Sequence, residues 1–158
     1  MTPIKWYTCP EFSKLDLPSP RWLIEGLVPG DGWTLVYAYP KVGKSILCMQ
    51  IGHALATGTG DVLGFKPAPS HLRVLYVQAD TPDRTFQEQI VKVAPSSPMM
   101  VTLSCPPYAP EQHRPALELL IAEAKPHVII WDCLNKLTTE DYNTVVGAVR
   151  ALQRLQRL

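Results

Sequence analysis

Gly43, Lys44 and Ser45 have the types and order of residues that could bind phosphate. In loops of the pattern Gly-x-x-x-x-Gly-Lys-[Ser/Thr], backbone N–H groups surround the phosphates, the lysine contacts the β- and γ-oxygens, and the hydroxyl binds Mg²⁺. Ala38 departs from the pattern, because glycine is favoured at that position for its backbone freedom. The sequence therefore predicts a loop whose nucleotide contacts come from Tyr39, Pro40, Lys41, Val42, Gly43, Lys44, Ser45 and Ile46.

The segments on either side of the loop support this interpretation. Trp33–Ala38 is a run of β-branched and aromatic residues that predicts a strand, and Ser45–Thr57 has apolar residues at helical spacing. A strand that leads through such a loop into a helix N-terminus is the usual setting of an anion site. The alternative is an ordinary strand-turn-helix whose turn happens to be rich in lysine.

Asp132 comes directly after the apolar run His127–Trp131, which predicts a strand. This is the Walker B arrangement, in which the carboxylate holds Mg²⁺ through its water while Ser45 would ligate the ion directly. The alternative for Asp132 is a helix cap or an acid that turns the chain into a loop. Ligands of parallel sheets bind beyond the carboxyl ends of the strands, so we expect Asp132 and the loop to converge.

Asp80 follows a second predicted strand, Leu72–Val77, and is the candidate for positioning the attacking water. Together with Lys44 it forms the predicted catalytic pair. Aspartate is one methylene shorter than glutamate, which shortens its reach. The alternative is that Asp80 complements the dipole of the helix that begins at Thr81-Pro82-Asp83.

Strands alternate with helices along the chain, which predicts an α/β fold with a mostly parallel sheet and helices on both faces. We expect residues 1–30 to form an extended arm and a short packed turn, and residues 31–158 to form the core. The arm would lie over an apolar surface, or else be a frayed terminus. The 16 prolines are expected in loops. The other predicted elements are a helix to Val93, a strand at Met99–Leu103, a helix at Glu111–Lys125 and a helix from Glu140 onwards.

The composition predicts one soluble, cytoplasmic domain. The chain has 158 residues, 46% of them apolar, with a net charge of +1 and no run long enough to cross a membrane. This charge balance gives no reason to expect strong nucleic-acid binding by the chain alone. His53 has no partner at metal spacing and is expected to be a packing or surface residue rather than a ligand. Reduced thiols are expected at Cys9, Cys48, Cys105 and Cys133.

Four runs of the sequence resemble the RecA-like ATPases related to plasmid RepA hexameric replicative helicases. These runs are Arg21–Pro29, Pro40–Ser45, Val74–Asp80 and Val128–Asp132. The resemblance implies a RecA-type core that binds ATP and Mg²⁺ and hydrolyses ATP. It implies Lys44 on the phosphates, Ser45 and Asp132 on Mg²⁺, and Asp80 where the family usually has a glutamate. Gln89 stands where relatives often have an arginine near the adenine, and Arg84 is the nearby substitute.

The same resemblance implies a homo-oligomer, a hexamer in the family, with single-stranded DNA as a partner of the full-length protein and no membrane partner. DNA replication or recombination in a phage or plasmid setting is the implied context. Relatives continue with a sensor strand, DNA-contacting loops and arginine fingers after the region that this sequence covers. We therefore expect a RecA-like core truncated at its C-terminus.

Three functions remain open at this point. The first is an ATP-hydrolysing, helicase-like core, and the second is a nucleotide-binding assembly or regulatory module with little turnover. The third is a P-loop kinase of a small molecule. Such a kinase would have an arginine-rich lid, whereas Cys105–Arg114 is rich in proline and has a single arginine, which disfavours the kinase.

Overall fold

The computed structural model describes residues 4–69, 71–102 and 110–133, together with Arg150. The described strands are β1 Trp22–Ile24, β2 Val28–Pro29, β3 Val74–Gln78, β4 Met100–Val101 and β5 Val128–Asp132. The described helices are α1 Cys9–Phe12, α2 Lys44–Thr57, α3 Asp83–Val93 and α4 Pro110–Ala124. Apart from Arg150, the helix predicted from Glu140 onwards lies outside the described residues, as do Leu103 and Cys105.

Three of the strands form a parallel sheet in the order β4-β3-β5. The register of β3 and β5 runs from Val74 opposite Val128 to Gln78 opposite Asp132. Every residue of β3 is buried, as expected of a central parallel strand covered on both faces. The predicted α/β class and parallel sheet are confirmed for this part of the chain.

Alternate residues of β3 contact helices on opposite faces of the sheet. Tyr76 belongs to a core cluster with Met49 of α2 and Phe86 of α3. Leu75 belongs to a second cluster with Leu117 of α4. The two-residue period of a strand thus divides the core into two layers, one on each face of the sheet.

Helix α2 packs closely on the sheet at Gly52. A Cβ atom at this position would collide with Met99 Sδ and would lie 3.0 Å from Ile130 Cδ1. The helix ends at Gly58, which adopts the left-handed conformation (φ 65°) that such a C-cap requires. The predicted extent of this helix, Ser45–Thr57, is confirmed to within one residue.

The predicted strand Trp33–Ala38 is wrong, because the structure forms no strand there. Trp33, Leu35 and Tyr37 are 45%, 66% and 90% exposed. This segment and the outer edge of β5 line a common cavity of about 340 Å³, so a gap separates backbones that would have to pair. Without a ladder partner, an apolar and β-branched run remains an irregular extended segment.

The N-terminal segment is exposed, and it contains a short helix that was not expected. Side chains such as Ile4 (95% exposed) and Trp6 (83% exposed) project into solvent, so the arm does not lie over an apolar surface. It contains the short helix α1, whose start is held by Thr8, since both its N–H and its hydroxyl donate to Glu11 Oε2, at 2.8 and 2.7 Å. The predicted packed turn after the arm is present at residues 25–27, where Leu27 packs against the core and the turn joins β1 to its antiparallel partner β2.

The expectation that prolines avoid helices is also wrong. Pro115 lies inside α4, within its second turn, where it removes one helical hydrogen bond. Thr81 is not the cap of α3; Pro82 occupies that position without a side-chain cap bond.

No described helix combines the length and the apolar character that crossing a bilayer requires.

Candidate phosphate-binding site

Gly43 is required in the loop by its backbone conformation. It precedes α2 with φ 97° and ψ 16°, and nothing lies within 4 Å of where a Cβ would stand. The neighbouring Lys41 also has a positive φ of 62°. Leu47 N donates to Gly43 O at 2.9 Å, so the N–H groups of residues 44–46 have no acceptor within the helix. Such N–H groups at a helix N-terminus favour an anion.

The side chain of Lys44 folds back over its own loop. Its Nζ donates to the carbonyl oxygens of Ala38 at 2.9 Å and Tyr39 at 2.7 Å. Helix α2 has no acidic residue in its first turn, so the ammonium group and the helix N-terminus both present positive charge here.

The other predicted nucleotide contacts lie on an accessible loop. Tyr39 is 84% and Val42 is 60% exposed, and the residues between them are exposed as well. Ile46 packs against the core cluster and fixes the start of the helix to the sheet. The loop therefore combines an open outer surface with an anchored base.

Tyr76 lies between the two predicted metal-binding residues. Its fully buried hydroxyl donates to Asp132 Oδ2 at 2.6 Å and approaches the backbone oxygen of Ser45 at 3.5 Å. Burial, and next the negative charge of Asp132, raise the pKa of Tyr76 well above its ordinary range. One hydroxyl thus lies between the end of β5 and the first turn of α2.

The pKa of Cys48 is affected by the charges of Asp132 and Lys44. Burial and the negative charge of Asp132 raise the pKa of its thiol to about 11, and the positive charge of Lys44 opposes that shift. All three side chains also line the cavity beside β5. Lys44 and Asp132 therefore line one cavity, whereas Ser45 and residues 39–43 of the loop are not among the residues that line it.

Asp80 lies at the same edge of the sheet, held by a residue that sequence reasoning missed. Gln78 is 2% exposed, and its Oε1 accepts from the backbone N–H groups of Asp80 and Thr81, both at 2.8 Å. Its Nε2 donates to Thr81 O at 2.6 Å. Asp80 is exposed and is not among the residues that line the cavity with Lys44 and Asp132.

The predicted adenine-side residues lie on α3. Arg84 bonds Glu88 Oε1 at 3.1 Å and Gln87 Oε1 at 3.3 Å, both on its own helix and exposed. Gln89 Oε1 is buried, as is Nδ1 of His53 on α2, and within the described part of the chain neither atom has a hydrogen-bond partner. The side chain of Arg84 thus bonds to the exposed surface of its own helix.

The oxygen donors of the site suit Mg²⁺. Ser45 offers a hydroxyl at the start of α2, and Asp132 offers a carboxylate whose Oδ2 is bonded by Tyr76. Among the described residues there is no cluster of three or more His, Cys, Asp or Glu that could hold a metal alone. An Mg²⁺ ion held by one hydroxyl and one carboxylate completes its octahedral shell with phosphate oxygens and water.

An α/β fold with a lysine-bearing loop at a helix N-terminus is the architecture of P-loop nucleotide-binding proteins. A family model described as an AAA domain matches residues 9–158, and the chain belongs to this family of P-loop ATPases. No curated protein and no solved structure matches the chain.

Proposed function

We propose that this chain is the ATP-binding and ATP-hydrolysing core of a RecA-like, helicase-type ATPase that acts with Mg²⁺. The observation that carries the proposal is the common cavity of Lys44 and Asp132 at the start of α2. Lys44, the first residue of α2, and the strand-end carboxylate of Asp132 suit a nucleoside triphosphate and its metal.

Lys44 and the loop backbone bind the phosphates in this proposal. The ammonium group is already held over the loop by two carbonyl oxygens, so an entering phosphate meets a positioned charge. The N–H groups of residues 44–46 supply further donors.

Ser45 and Asp132 would hold Mg²⁺, the first through its hydroxyl and the second through its carboxylate. The ion would supply charge neutralisation and orientation at the β- and γ-phosphates. Asp80 positions the attacking water. Gln78 holds the backbone of Asp80 in place, because its Oε1 accepts a hydrogen bond from the N–H of Asp80.

One observation favours a second candidate, a nucleotide-binding module with little turnover. Asp80 is exposed and lies outside the cavity that Lys44 and Asp132 share. A water-positioning carboxylate has to come within hydrogen-bond reach of its water. In the first candidate, this reach is gained when the nucleotide and a neighbouring subunit are in place.

The helicase-type assignment rests on the four sequence runs that resemble the RepA-related ATPases. A homo-oligomer with nucleotide sites between subunits is supported by apolar side chains around the loop. Leu35, Tyr37, Tyr39 and Val42 are each at least 60% exposed, a surface that a neighbouring copy would cover. Single-stranded DNA is the proposed partner of the full-length protein, and the cytoplasm is its proposed location.

Calorimetric titration with ATP in the presence of Mg²⁺ tests the proposal. We expect the wild type to bind ATP and Lys44→Ala to lose at least about 100-fold in affinity, because a charge-assisted contact to the phosphates is removed. Lys92→Ala is the matched control, since it removes the same charge from an exposed position on α3 and should bind as the wild type does. Equal affinities of wild type and Lys44→Ala would overturn the proposed function.

A further inference from the structure

Tyr76 is the central residue of the most buried strand, and its hydroxyl needs a partner there. The side chain is 0% exposed, and its ring lies 5.6 Å, between centroids, from the ring of Phe86. Leaving a buried hydroxyl without a hydrogen bond is costly, so a phenylalanine would suit this core better unless the hydroxyl has a task.

The register of the sheet directs this hydroxyl to Asp132. Tyr76 lies opposite Ile130, and Asp132 is two residues further along β5. Residues two apart in a strand share a face, so Tyr76 and Asp132 both face the layer that contains α2. The resulting O–H···O distance of 2.6 Å is that of a short hydrogen bond.

The same hydroxyl lies 3.5 Å from the backbone oxygen of Ser45, in the first turn of α2. It therefore stands where the loop-bearing helix meets the end of β5. A carboxylate has about four lone-pair sites, and the bond from Tyr76 occupies one of them. The remaining sites can accept from metal-bound water, and the bond limits the rotation of the carboxylate.

We infer that Tyr76 is a positioning residue, whose hydroxyl orients the Asp132 carboxylate toward the Mg²⁺ of the bound nucleotide; this inference rests on the proposed function. The residue does not touch the nucleotide. It acts through Asp132, as the hydrogen-bond partners of metal ligands do in other sites, where their loss commonly costs about 10–100-fold in metal affinity.

The test compares ATP binding in Mg²⁺ with ATP binding in EDTA by calorimetry, for the wild type and for Tyr76→Phe. The variant keeps the ring and its packing and removes one oxygen atom. We expect unchanged affinity in EDTA and about a tenfold smaller gain in affinity on adding Mg²⁺. Val74→Ala is the control, since it weakens the same face of β3 without touching Asp132 and should keep the full gain from Mg²⁺.

A double variant separates positioning from packing. Tyr76→Phe/Asp132→Asn should respond to Mg²⁺ as Asp132→Asn alone does, because the hydroxyl acts only through the carboxylate. A full gain from Mg²⁺ in Tyr76→Phe, or independent losses from the two substitutions, would overturn the role of Tyr76 and leave the proposed function standing. A wild type that binds no ATP in either condition would overturn both.

Discussion

The carboxyl edge of the sheet and two segments on the N-terminal side of the chain, residues 4–22 and 33–42, are built in opposite ways. At the carboxyl edge, Tyr76 donates to Asp132 at 2.6 Å, and the side chain of Gln78 bonds the backbone of Asp80 and Thr81 at 2.6–2.8 Å. On the N-terminal side, apolar residues such as Trp6 and Tyr37 are more than 80% exposed.

The difference shows how a strand gains its structure. β3 is buried by helices on both faces and paired with strands at both edges, whereas Trp33–Ala38 has neither. The two segments have similar intrinsic preference for the extended state. Tertiary partners, rather than propensity, decide which of them becomes a strand.

The largest expected effect is on stability, and it contrasts two leucines. Leu75 is 1% exposed and Leu35 is 66% exposed. We expect Leu75→Ala to cost about 3 kcal/mol, which lowers the folding equilibrium constant more than 100-fold, because it leaves a cavity in the core. Leu35→Ala should change stability by less than about 0.5 kcal/mol. Urea denaturation of both variants is the measurement, and equal losses would show that the Leu35 segment is packed in solution.

The second contrast is between two thiols. Cys48 is partly buried with a pKa of about 11, and Cys9 is exposed. At pH 8 we expect Cys48 to react with iodoacetamide about 100-fold more slowly, because only the thiolate reacts. Peptide mapping by mass spectrometry gives both rates in one sample, and a fast reaction at Cys48 would mean that the core beside Lys44 opens readily.

The same pKa predicts a dependence of stability on pH. Folding raises the pKa of the Cys48 thiol, so the protonated thiol contributes to the free energy of unfolding. This contribution is fully present below the pKa of a free thiol, about 8.5, and is lost as the pH rises toward 11. The raised pKa of Tyr76 acts in the same direction at alkaline pH. The urea concentration at the midpoint of unfolding should therefore decrease as the pH is raised beyond about 9. A midpoint that stays constant from pH 8 to 11 would contradict the burial of both groups.

The smallest expected effect concerns turnover. Asp80→Asn should leave ATP binding intact and lower phosphate release about tenfold, less than the roughly 10²–10⁴-fold typical of acid–base groups, because Asp80 lies outside the cavity. Asp80→Glu should raise the rate, since the longer side chain reaches further. Asp31→Asn, an exposed change on the N-terminal side, is the control. Phosphate release that is slow in the wild type and unaffected by Asp80→Asn would favour the nucleotide-binding module.

Local patterns in the sequence predicted α2, α3, α4, β3 and β5 to within about two residues at each end. Unbroken apolar runs and helix boundary residues carry enough information for such elements. The Trp33–Ala38 segment was mispredicted because a strand also needs an edge to pair with, and no local pattern shows whether that edge is within reach.

In the candidate site, too, local patterns identified some residues and missed those whose contacts the pattern does not show. Motif spacing and strand ends singled out Lys44, Ser45 and Asp132, and the structure places Lys44 and Asp132 on one cavity. Tyr76 and Gln78 were missed, although a hydroxyl and an amide in an otherwise apolar strand were the available signal. The partner of Tyr76 depends on the register of β3 and β5, which places Tyr76 opposite Ile130 and two residues before Asp132, and that register is a long-range property. Gln78 bonds instead to Asp80 and Thr81, in the turn that follows its own strand.

Gly52 has a consequence for the width of the site. It lies seven residues after Ser45, close to two helical turns, so both residues lie on the side of α2 that faces the sheet. A side chain at position 52 would have to displace the side chains of Met99 and Ile130. Any part of that clash relieved by moving α2 would also move Ser45 relative to Asp132, so the absence of a side chain at position 52 helps to keep the two predicted metal-binding residues close.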